Sequence, residues 1–582
     1  MNQSSAVIYL VLTLAFSIAT SRSAVAQDLG VPSKDGLVVC TSAPACDAGA
    51  SVMVLGGNAV DAAVATAFAL AVTHPAAGNI GGGGFMIVRT PDGQLTSFDY
   101  REQAPLGATR TMYVGPDGKI VRALTNAGYL APGVPGAVRG LAMAHKTFGK
   151  LPWKDVVAPG LLLAEKGFAI SAALARGLNR ELAGPMAKFP ASVAAYGKPG
   201  GGEWKEGDRL VLQDLAKSLR AIATDGPDAF YKGWIADAIA ADMKANGGLI
   251  TKQDLANYEA KERTPLRGTY KGFEVISMPP VSSGGIALIE MLNILEPMDL
   301  KAKGLLTAES LHLQIEAMRR AYLDRARHVG DPDFVKIPVE TLISKEHARK
   351  VAATIDPARA SNSLELGKDI VTVTTAQESD ETTHYSVIDR NGMAVTTTTT
   401  LEGSYGSHVV VKGAGFLLNN EMGDFNKKPG ETNATGDIGT PANLIDPGTR
   451  MLSSMTPSMV VKDGKVVLLT GSPGGRTIIN TVFTIVLGVV EYGLNGRQAV
   501  DLARMHHQWL PDRVSIEKEN GPSAEVLEKL KAMGHDITAG GRQGDAHSIW
   551  VAPDGTVYGI NELRTPDGKA SVPKAAVMSG GR

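Results

Sequence analysis

Two neighbouring segments rich in threonine could carry nucleophilic chemistry. Thr382 stands just before a β-rich segment, His384–Asp389, and threonines fill 396–400. A polar, acidic stretch at 374–381 precedes Thr382 and is suited to backbone cleavage. Cleavage there would give Thr382 a terminal α-amino group, whose reference pKa of about 7.7 to 8.0 suits a general base for its own hydroxyl. The residues alone are equally compatible with a plain hairpin.

The turn at Arg390-Asn391-Gly392 sets which residue lies opposite Thr382. A two-residue turn would place it opposite Leu401, whereas a three-residue loop with the glycine in the left-handed region would place it opposite Thr400. We favour the three-residue loop. In that register Thr382, Thr400 and Glu402 share one face of the hairpin.

Composition indicates a globular protein with a large core. The chain has 582 residues, of which 44% are hydrophobic and 20% charged. Lys and Arg (58) almost balance Asp and Glu (59), for a formal net charge of -1. Non-specific binding to a polyanion depends on a cationic surface, so we expect no nucleic-acid partner.

No metal or cofactor is expected from the motifs. The two cysteines, Cys40 and Cys46, are too few for an all-cysteine zinc site, and a disulfide and two unbridged thiols are equally compatible with their spacing. The eleven histidines include no HExxH, and His506-His507 suits packing or hydrogen bonding. The glycine run 81–84 lacks phosphate-loop spacing and precedes a strand, which favours close backbone packing near a site.

The first 26 residues are typical of an export signal. An apolar stretch from Ala6 to Thr20 is followed by Ala24-Val25-Ala26, which fits cleavage before Gln27. The stretch is short for a membrane span, although the absence of Lys and Arg before it leaves an uncleaved anchor as the alternative. We expect an exported protein, periplasmic or secreted.

Periodicity indicates how the elements are arranged. Small and apolar residues over 48–72 predict one closely packed helix, ended by His74-Pro75. The region 141–355 is largely helical, and 308–327 carries an apolar stripe that should be core. No linker or repeat divides the chain, so we expect one intertwined unit.

Several further motifs stand in a fixed order along the chain. They are Gly56-Gly57-Asn58-Ala59-Val60-Asp61-Ala62-Ala63, the 81–84 run, Tyr100-Arg101-Glu102, Thr382-Thr383-His384-Tyr385-Ser386-Val387, Leu417-Leu418-Asn419-Asn420-Glu421-Met422, Leu452-Ser453-Ser454-Met455, Thr470-Gly471-Ser472-Pro473-Gly474-Gly475 and His506-His507-Gln508-Trp509-Leu510. Together they resemble the γ-glutamyltranspeptidase family over nearly all of the chain that follows residue 26.

The resemblance implies an α+β fold, the four-layer αββα sandwich of N-terminal nucleophile hydrolases. It also implies a precursor that cuts itself into a large subunit, 27–381, and a small subunit, 382–582. Thr382 would then be the new N-terminus. Both subunits would contribute strands to one intertwined sandwich.

The implied substrates are glutathione and other γ-glutamyl compounds, with water, an amino acid or a dipeptide as acceptor. Arg101 matches the arginine that binds the donor α-carboxylate, with hydroxyl support from Ser453 and Ser454. The residues that match the surroundings of the α-ammonium are Glu402, Glu421 and Asp424. No cofactor or metal is implied.

The remaining matches concern residues that would stabilise the transition state of acyl transfer and residues that would cover the donor site. Gly474 and Gly475 match the glycines whose N–H groups form the oxyanion hole, and Thr400 matches the threonine that supports the nucleophile. The stretch from Pro429 to Pro441 resembles the family's lid loop. It carries Thr435 where some members have an aromatic gate.

Two other functions remain as alternatives. A cephalosporin or glutaryl acylase of the same superfamily would share the terminal threonine, but its donor lacks the α-ammonium that Asp424 would bind. A processed but catalytically silent binding protein should have lost the nucleophile or the oxyanion elements, and both are present. A serine hydrolase is disfavoured because no G-x-S-x-G motif occurs.

Overall fold

The computed structural model describes residues 28–371 and 382–574. In chain order the strands are β1 (Val31–Ser33), β2 (Gly36–Cys40), β3 (Gly83–Arg89), β4 (Leu95–Asp99), β5 (Phe168–Ala169), β6 (Arg209–Leu210), β7 (Lys261–Arg263), β8 (Leu266–Tyr270), β9 (Phe273–Ser277), β10 (Thr383–Asp389), β11 (Ala394–Thr400), β12 (Ser458–Lys462), β13 (Lys465–Thr470), β14 (Met505–His506), β15 (Val514–Glu517), β16 (Ile537–Gly540), β17 (Ser548–Val551), β18 (Val557–Ile560) and β19 (Lys569–Ser571).

The helices are distributed along the whole of the described chain. They are α1 (Ala43–Val54), α2 (Ala59–Thr73), α3 (Ala123–Asn126), α4 (Ala137–Phe148), α5 (Trp153–Lys166), α6 (Ala172–Ala183), α7 (Pro190–Tyr196), α8 (Gln213–Asp225), α9 (Asp228–Tyr231), α10 (Trp234–Ala245), α11 (Lys252–Asn257), α12 (Gly284–Leu295), α13 (Leu300–Lys303), α14 (Ala308–His328), α15 (Val339–Leu342), α16 (Lys345–Ala352), α17 (Ser363–Leu366), α18 (Thr477–Val490), α19 (Gly496–Asp501) and α20 (Ala524–Ala532).

Two seven-stranded antiparallel sheets dominate the described part of the chain. Sheet I has the order β1-β18-β17-β13-β12-β9-β8, and sheet II has the order β19-β2-β10-β11-β3-β4-β7. Non-sequential neighbours in both sheets mean that the chain crosses between them repeatedly. No single cut in the sequence therefore separates one sheet from the other.

Three apolar layers show that the sheets are stacked between helices. One layer lies between sheet II and the helices that include α1, α2 and α5, and another lies between sheet I and α12, α14 and α18. The third lies between the sheets. In β2, Leu37 and Val39 face this inner layer, whereas Val38 and Cys40 face the helices, as the two-residue period of a strand requires. The predicted αββα sandwich is confirmed.

The alternation of side chains along β10 also places Thr382 between the two sheets. In β10, Tyr385 and Val387 pack against the helical layer, and Ile388 packs in the layer between the sheets. Thr382 has the parity of Ile388. Its side chain therefore belongs to the face that looks toward sheet I.

The hairpin has the predicted register. β10 and β11 pair with Thr383 opposite Thr399, which leaves Thr382 beside Thr400. The connecting loop has three residues, and Gly392 has a φ of 87°, a conformation that glycine adopts without strain. Local turn chemistry was sufficient to fix this register.

The single helix predicted over 48–72 is wrong. The chain forms α1 and α2 with a break at Gly56-Gly57. Asn58 accepts hydrogen bonds from the N–H groups of Val60 and Asp61, and Asp61 accepts one from the Asn58 N–H. This reciprocal capping begins a new helix where apolar composition alone predicted continuity.

The fold also bears on the predictions for the two cysteines, for the apolar stripe over 308–327 and for membrane-spanning helices. Cys40 and Cys46 form a disulfide. α14 covers the predicted stripe and is buried over nearly its whole length. Among the described residues, no helix combines the length and apolar character needed to cross a membrane. The predicted signal, 1–26, and the stretch just before Thr382 lie outside the described residues.

Candidate active site

Thr382 and Thr400 meet at the end of the central hairpin. Their Oγ1 atoms lie 3.4 Å apart, and both side chains are buried. The Glu402 N–H donates to Thr400 Oγ1 over 2.7 Å. A hydroxyl that accepts this bond can still donate its own proton, so Thr400 can orient the Thr382 oxygen.

Glu402 lies beyond the strand that was expected to carry it. β11 ends at Thr400, and Glu402 has a φ of 76°, so the predicted alternation along one strand face does not extend to it. Its carboxylate is held by the side-chain amide of Asn420. Glu402 still lines the same cavity as the threonines because the turn brings it back.

The glycine run brings β3 very close to Thr400. A Cβ at Gly82 would lie 2.2 Å from the Thr400 carbonyl oxygen, so no larger residue fits. Asn79 bridges the two segments, since its side-chain N–H donates to Thr400 O over 2.8 Å and its Oδ1 accepts from Gly82 N–H over 2.9 Å. Close backbone packing near the site, as predicted, fixes the end of β11.

His384 is two residues from Thr382 but belongs to the core. Its Nδ1 lies 2.9 Å from Thr398 Oγ1 and its Nε2 lies 3.1 Å from Ser386 Oγ. Burial lowers the pKa of His384 well below its usual value. Both ring nitrogens are thus occupied, and the neutral ring has a structural role.

A narrow cavity of about 50 Å³ opens beside the threonine pair. It gathers nine of the ten residues that the sequence predicted for the site, and the tenth, Gly474, lines the adjoining outer cavity. The nine are Arg101, Thr382, Thr400, Glu402, Glu421, Asp424, Ser453, Ser454 and Gly475.

Arg101 is the buried cation at one end of this narrow cavity. It follows β4 and is 1% exposed. Its Nη1 lies 2.7 Å from Glu421 Oε2, its Nη2 donates to Asp424, and its Nε donates to Met451 O over 3.2 Å. Burial lowers the pKa of Arg101, but Glu421 and Asp424 raise it more, so the guanidinium stays charged.

More acidic groups surround Arg101 than its charge can balance. Glu102 is fully buried, 3.7 Å from Arg101, and neither of its carboxylate oxygens accepts a hydrogen bond from the described residues. Burial raises the pKa of Glu102 to about 8, and burial raises the pKa of Glu421 well above its ordinary value. A ligand that brings a positive charge would relieve this excess.

Of the two serines, Ser454 is held by a residue that the sequence analysis missed. Arg325 donates to Ser454 Oγ over 3.1 Å and to Ser283 Oγ over 2.8 Å. Ser453 Oγ accepts from the Met455 N–H over 3.1 Å. Arg325 continues the i+3 spacing of the stripe on α14 after Tyr322, and a charged residue at a core position was the available signal.

The predicted oxyanion glycines lie in the loop between β13 and α18. Gly474 and Gly475 have φ values of 126° and 54°. A Cβ at Gly474 would lie 2.4 Å from Thr477 Oγ1. The loop leads directly into α18, whose N-terminal N–H groups favour negative charge nearby.

The predicted lid segment, 429–441, lies between the narrow cavity and the outer cavity. An ion pair between Arg122 and Asp437, with 2.6 Å between Nη2 and Oδ1, connects it to the part of the chain that precedes Thr382. Arg476 Nη1 donates to Gly436 O over 3.2 Å. Ile438 lines both cavities, Thr440 the narrow one and Thr435 the outer one.

The outer cavity is much larger, at about 970 Å³, and several cationic side chains line it. Asp424 belongs to the linings of both cavities, so the two spaces adjoin. The cationic side chains of its lining include Arg122, Lys427, Arg476, Arg513 and Arg542. Such a lining favours an anionic group outside the narrow cavity.

The stacked sheets and the threonine at the head of an inner strand define the N-terminal nucleophile hydrolase architecture. A cephalosporin acylase from Bacillus halodurans has a similar structure, with a TM-score of 0.81 and 26% identity, covering 97% of this chain and all of that one. The γ-glutamyltranspeptidase of Helicobacter pylori is 44% identical, with a TM-score of 0.54, covering 58% of this chain and 94% of that one.

Sequence comparison identifies the family within this class. The γ-glutamyltranspeptidase family model matches residues 45–572. A glutathione hydrolase proenzyme from Escherichia coli (strain K12) is 46% identical over 541 residues, which is 92% of each chain. The chain belongs to the γ-glutamyltranspeptidase family and is an enzyme of the transferase and hydrolase type.

Proposed function

We propose that this enzyme is made as a precursor, cleaves itself before Thr382 and then transfers γ-glutamyl groups from glutathione and related compounds. The observation that supports this best is a single cavity that joins a threonine pair to an arginine flanked by carboxylates. An acyl-transfer nucleophile and a receptor for an amino-acid zwitterion are thereby adjacent.

Self-cleavage uses the same oxygen as catalysis. Thr382 Oγ1 attacks the carbonyl carbon of Glu381, the peptide C–N bond breaks, and the nitrogen takes a proton to become the terminal amine. Water then hydrolyses the resulting ester. The products are a carboxylate on Glu381 and a Thr382 that carries both a hydroxyl and an amine.

The donor end of the substrate carries an ammonium and a carboxylate on one carbon. Arg101 and Asp424 are hydrogen-bonded partners, so a zwitterion can lie along this pair with each charge against its opposite. Glu402 and Glu421 supply carboxyl oxygens on the ammonium side, and a bound ammonium favours the ionised form of Glu421, whose pKa burial raises. Ser453 and Ser454 supply hydroxyl donors on the carboxylate side.

The γ-carbonyl of the donor then lies at Thr382. The Thr382 amine accepts the hydroxyl proton, Oγ1 attacks, and negative charge develops on the carbonyl oxygen. The N–H groups of Gly474 and Gly475 stabilise that charge, a contribution worth about 3 kcal/mol for one such donor. The departing amine takes the proton and leaves a γ-glutamyl ester.

The outer cavity holds the departing and incoming groups. The departing dipeptide of glutathione and a dipeptide acceptor both carry a carboxylate, which the cationic lining would attract. An acceptor amine or water then attacks the ester. The lid segment borders both spaces, and Thr435 lacks the ring of an aromatic gate, so we expect hydrolysis to compete with transfer.

The processed pieces should remain associated. In sheet II the central neighbours of β10 and β11 are β2 and β3, which lie on the other side of the proposed cut. Cleavage therefore breaks the chain without separating the strands. We propose a large subunit, 27–381, and a small subunit, 382–582, exported to the periplasm or beyond after removal of residues 1–26.

Release of aniline from γ-glutamyl anilide and from glutaryl anilide, with and without a dipeptide acceptor, tests this function. We expect a preference for the γ-glutamyl donor and an increased rate with the dipeptide. A preference for the glutaryl donor would favour the acylase alternative. Inactivity of the processed protein toward both donors would favour the silent binding protein.

A further inference from the structure

A second group of acidic and histidine side chains lies in the outer helical layer. Glu290 on α12, Asp324 on α14 and His347 on α16 each offer a ligand atom, and these atoms all lie within 4.8 Å of one another. The three residues are 34 and 23 positions apart, so no spacing motif connects them. The fold alone brings them together.

Glu290 is a buried carboxyl group whose ionisable neighbours are His347 and Asp324. It is fully buried, and neither oxygen accepts a hydrogen bond from the described residues. Its nearest charged partner is His347 Nε2, 3.5 Å from Oε1. Burial raises the pKa of Glu290 to about 8. An ionised carboxylate in this position is costly unless a cation binds it.

The distances suit a small divalent cation. His347 Nε2 lies 3.0 Å from Asp324 Oδ2 and 3.5 Å from Glu290 Oε1. Nitrogen and oxygen ligands about 2.0 to 2.2 Å from a tetrahedral Zn²⁺ are separated from each other by roughly 3.3 to 3.6 Å. Binding such an ion would replace the hydrogen bond between His347 and Asp324 and widen that pair by a few tenths of an ångström.

We propose that Glu290, Asp324 and His347 form a binding site for a divalent transition metal of the Zn²⁺ type, which joins α12, α14 and α16. Two carboxylates and one imidazole are a ligand set that Zn²⁺ accepts. His347 is 22% exposed, so an ion and a water molecule as fourth ligand can reach the site. This ion has no part in the proposed reaction at Thr382.

A neighbouring group of similar composition serves as a contrast. His312, Glu316 and His535 also lie close together, but the Glu316 carboxylate pairs with Arg319 over 3.2 Å and with Arg320 over 2.5 Å. These arginines already balance its charge. We therefore expect no metal at this second group.

The ion would stabilise the wall of the donor cavity. Asp324 precedes Arg325, whose guanidinium donates to Ser454 and to Ser283 at the start of α12. Fixing Asp324 and Glu290 to one ion would hold these two helices together. The effect on the enzyme is therefore expected in stability first.

Zinc binding to the tag-free, chelator-treated protein tests the proposal. We expect one Zn²⁺ per chain by elemental analysis after equilibrium dialysis against ZnCl₂, and a higher Tm with ZnCl₂. Glu290→Gln and His347→Ala should each weaken binding at least about 10-fold. Glu346→Gln removes an exposed carboxylate beside His347 and should bind like the wild type.

Folding of the variants is monitored separately. Burial keeps Glu290 largely protonated without zinc, and Glu290→Gln replaces it with a neutral amide of the same shape. The variant should therefore be about as stable as the wild type without zinc, while its Tm no longer responds to ZnCl₂. Absence of saturable zinc binding would overturn the proposal. So would wild-type affinity in both ligand variants, or loss of binding in His312→Ala instead.

Discussion

At the scale of single residues, the proposed choice of donor depends on the charge balance around Arg101. Arg101 is almost completely buried and pairs with Glu421 and Asp424. Breaking a buried pair strands the remaining charge, so changes here should affect binding strongly. Arg101→Lys tests the contribution of the guanidinium's shape, and Asp424→Asn tests the contribution of the carboxylate's charge.

Arg101→Lys should keep the positive charge and lose most donor recognition. A point-like ammonium cannot replace the planar fork that contacts Glu421, Asp424 and a substrate carboxylate at once. We expect kcat/KM for γ-glutamyl anilide to fall by about one to two decades, from a loss of roughly 1.5 to 3 kcal/mol. Cleavage before Thr382 should persist.

The matched control is Arg110→Lys, which alters an exposed two-bond pair with Asp446. Steady-state kinetics should show no change there, because exposed pairs contribute little. Equal kcat/KM in Arg101→Lys and the wild type would remove Arg101 from donor recognition.

Asp424→Asn should narrow the preference for a γ-glutamyl donor over a glutaryl donor. Only the γ-glutamyl compound presents an ammonium to this carboxylate. Asp424 is 30% exposed, and we expect a loss of about 2 to 3 kcal/mol for that donor, with Glu402 and Glu421 compensating in part. Side-by-side kcat/KM values check this. An equal decrease for both donors would show that Asp424 does not bind the α-ammonium.

The family resemblance named residues that the structure brings to one cavity and its neighbour, but it did not name the residues that act through packing. Arg325 belongs to a helix whose apolar stripe predicted only core. Glu102 stands in the motif Tyr100-Arg101-Glu102, but no role was predicted for it. Their positions depend on how α14 and β4 approach the sandwich. Sequence spacing carries no information about that approach.

At the scale of elements, the loop between β13 and α18 carries the glycines that we propose as oxyanion donors. Gly474 has a φ that other residues rarely adopt, and its missing Cβ leaves room for Thr477. The hairpin β10–β11 brings Thr382, the proposed nucleophile, to the same cavity that Gly475 lines. Catalysis depends on both elements keeping their backbone geometry.

Gly474→Ala should lower kcat strongly. The new Cβ would meet Thr477 Oγ1 at 2.4 Å, and the backbone must turn its N–H groups away. We expect a loss of about 100-fold in kcat, as for removal of one oxyanion donor, with a smaller change in KM. Pre-steady-state release of aniline separates acylation from later steps.

Gly464→Ala is the matched control for that substitution. Gly464 also has a positive φ, 75°, but a Cβ there meets nothing within 4 Å. It should cost about 1 kcal/mol of stability and leave kcat unchanged. Similar kcat losses in both variants would indicate a general folding defect.

Elements were predictable where local chemistry decides them. The three-residue turn and its glycine fixed the hairpin register, because a hairpin needs only its own residues. The break between α1 and α2 was not predicted. The apolar composition favours one continuous helix, whereas the capping by Asn58 begins a new one. The order of strands in the two sheets depends on long-range pairing and was not predicted, since the family resemblance implied only the layers of the sandwich.

At the scale of the whole molecule, several buried histidines make the fold sensitive to acid. Burial lowers the pKa of His506 and of His507 to about 4, and that of His535 to about 3. The unfolded chain binds protons at these rings near pH 6.5, before the folded protein does. Stability is therefore full above about pH 6.5 and decreases as the pH falls toward 4.

His507→Gln should reduce this acid sensitivity. The ring of His507 is fully buried and contacts Asp512, and glutamine cannot take up a charge. Between pH 7.5 and pH 5 we expect the wild type to lose roughly 2 kcal/mol more stability than the variant. Thermal unfolding at both pH values checks this. Equal decreases in Tm would show that His507 does not contribute.

The central claim is that Thr382 becomes the terminal nucleophile and carries the γ-glutamyl group. The most direct measurement is the intact mass of the protein, mixed with γ-glutamyl anilide and quenched in acid. We expect two chains, with the one that begins at Thr382 gaining one γ-glutamyl group on that residue, and a single unmodified chain for Thr382→Ala. An uncut wild-type chain, efficient cleavage of the alanine variant, or a γ-glutamyl group on another residue would contradict the claim.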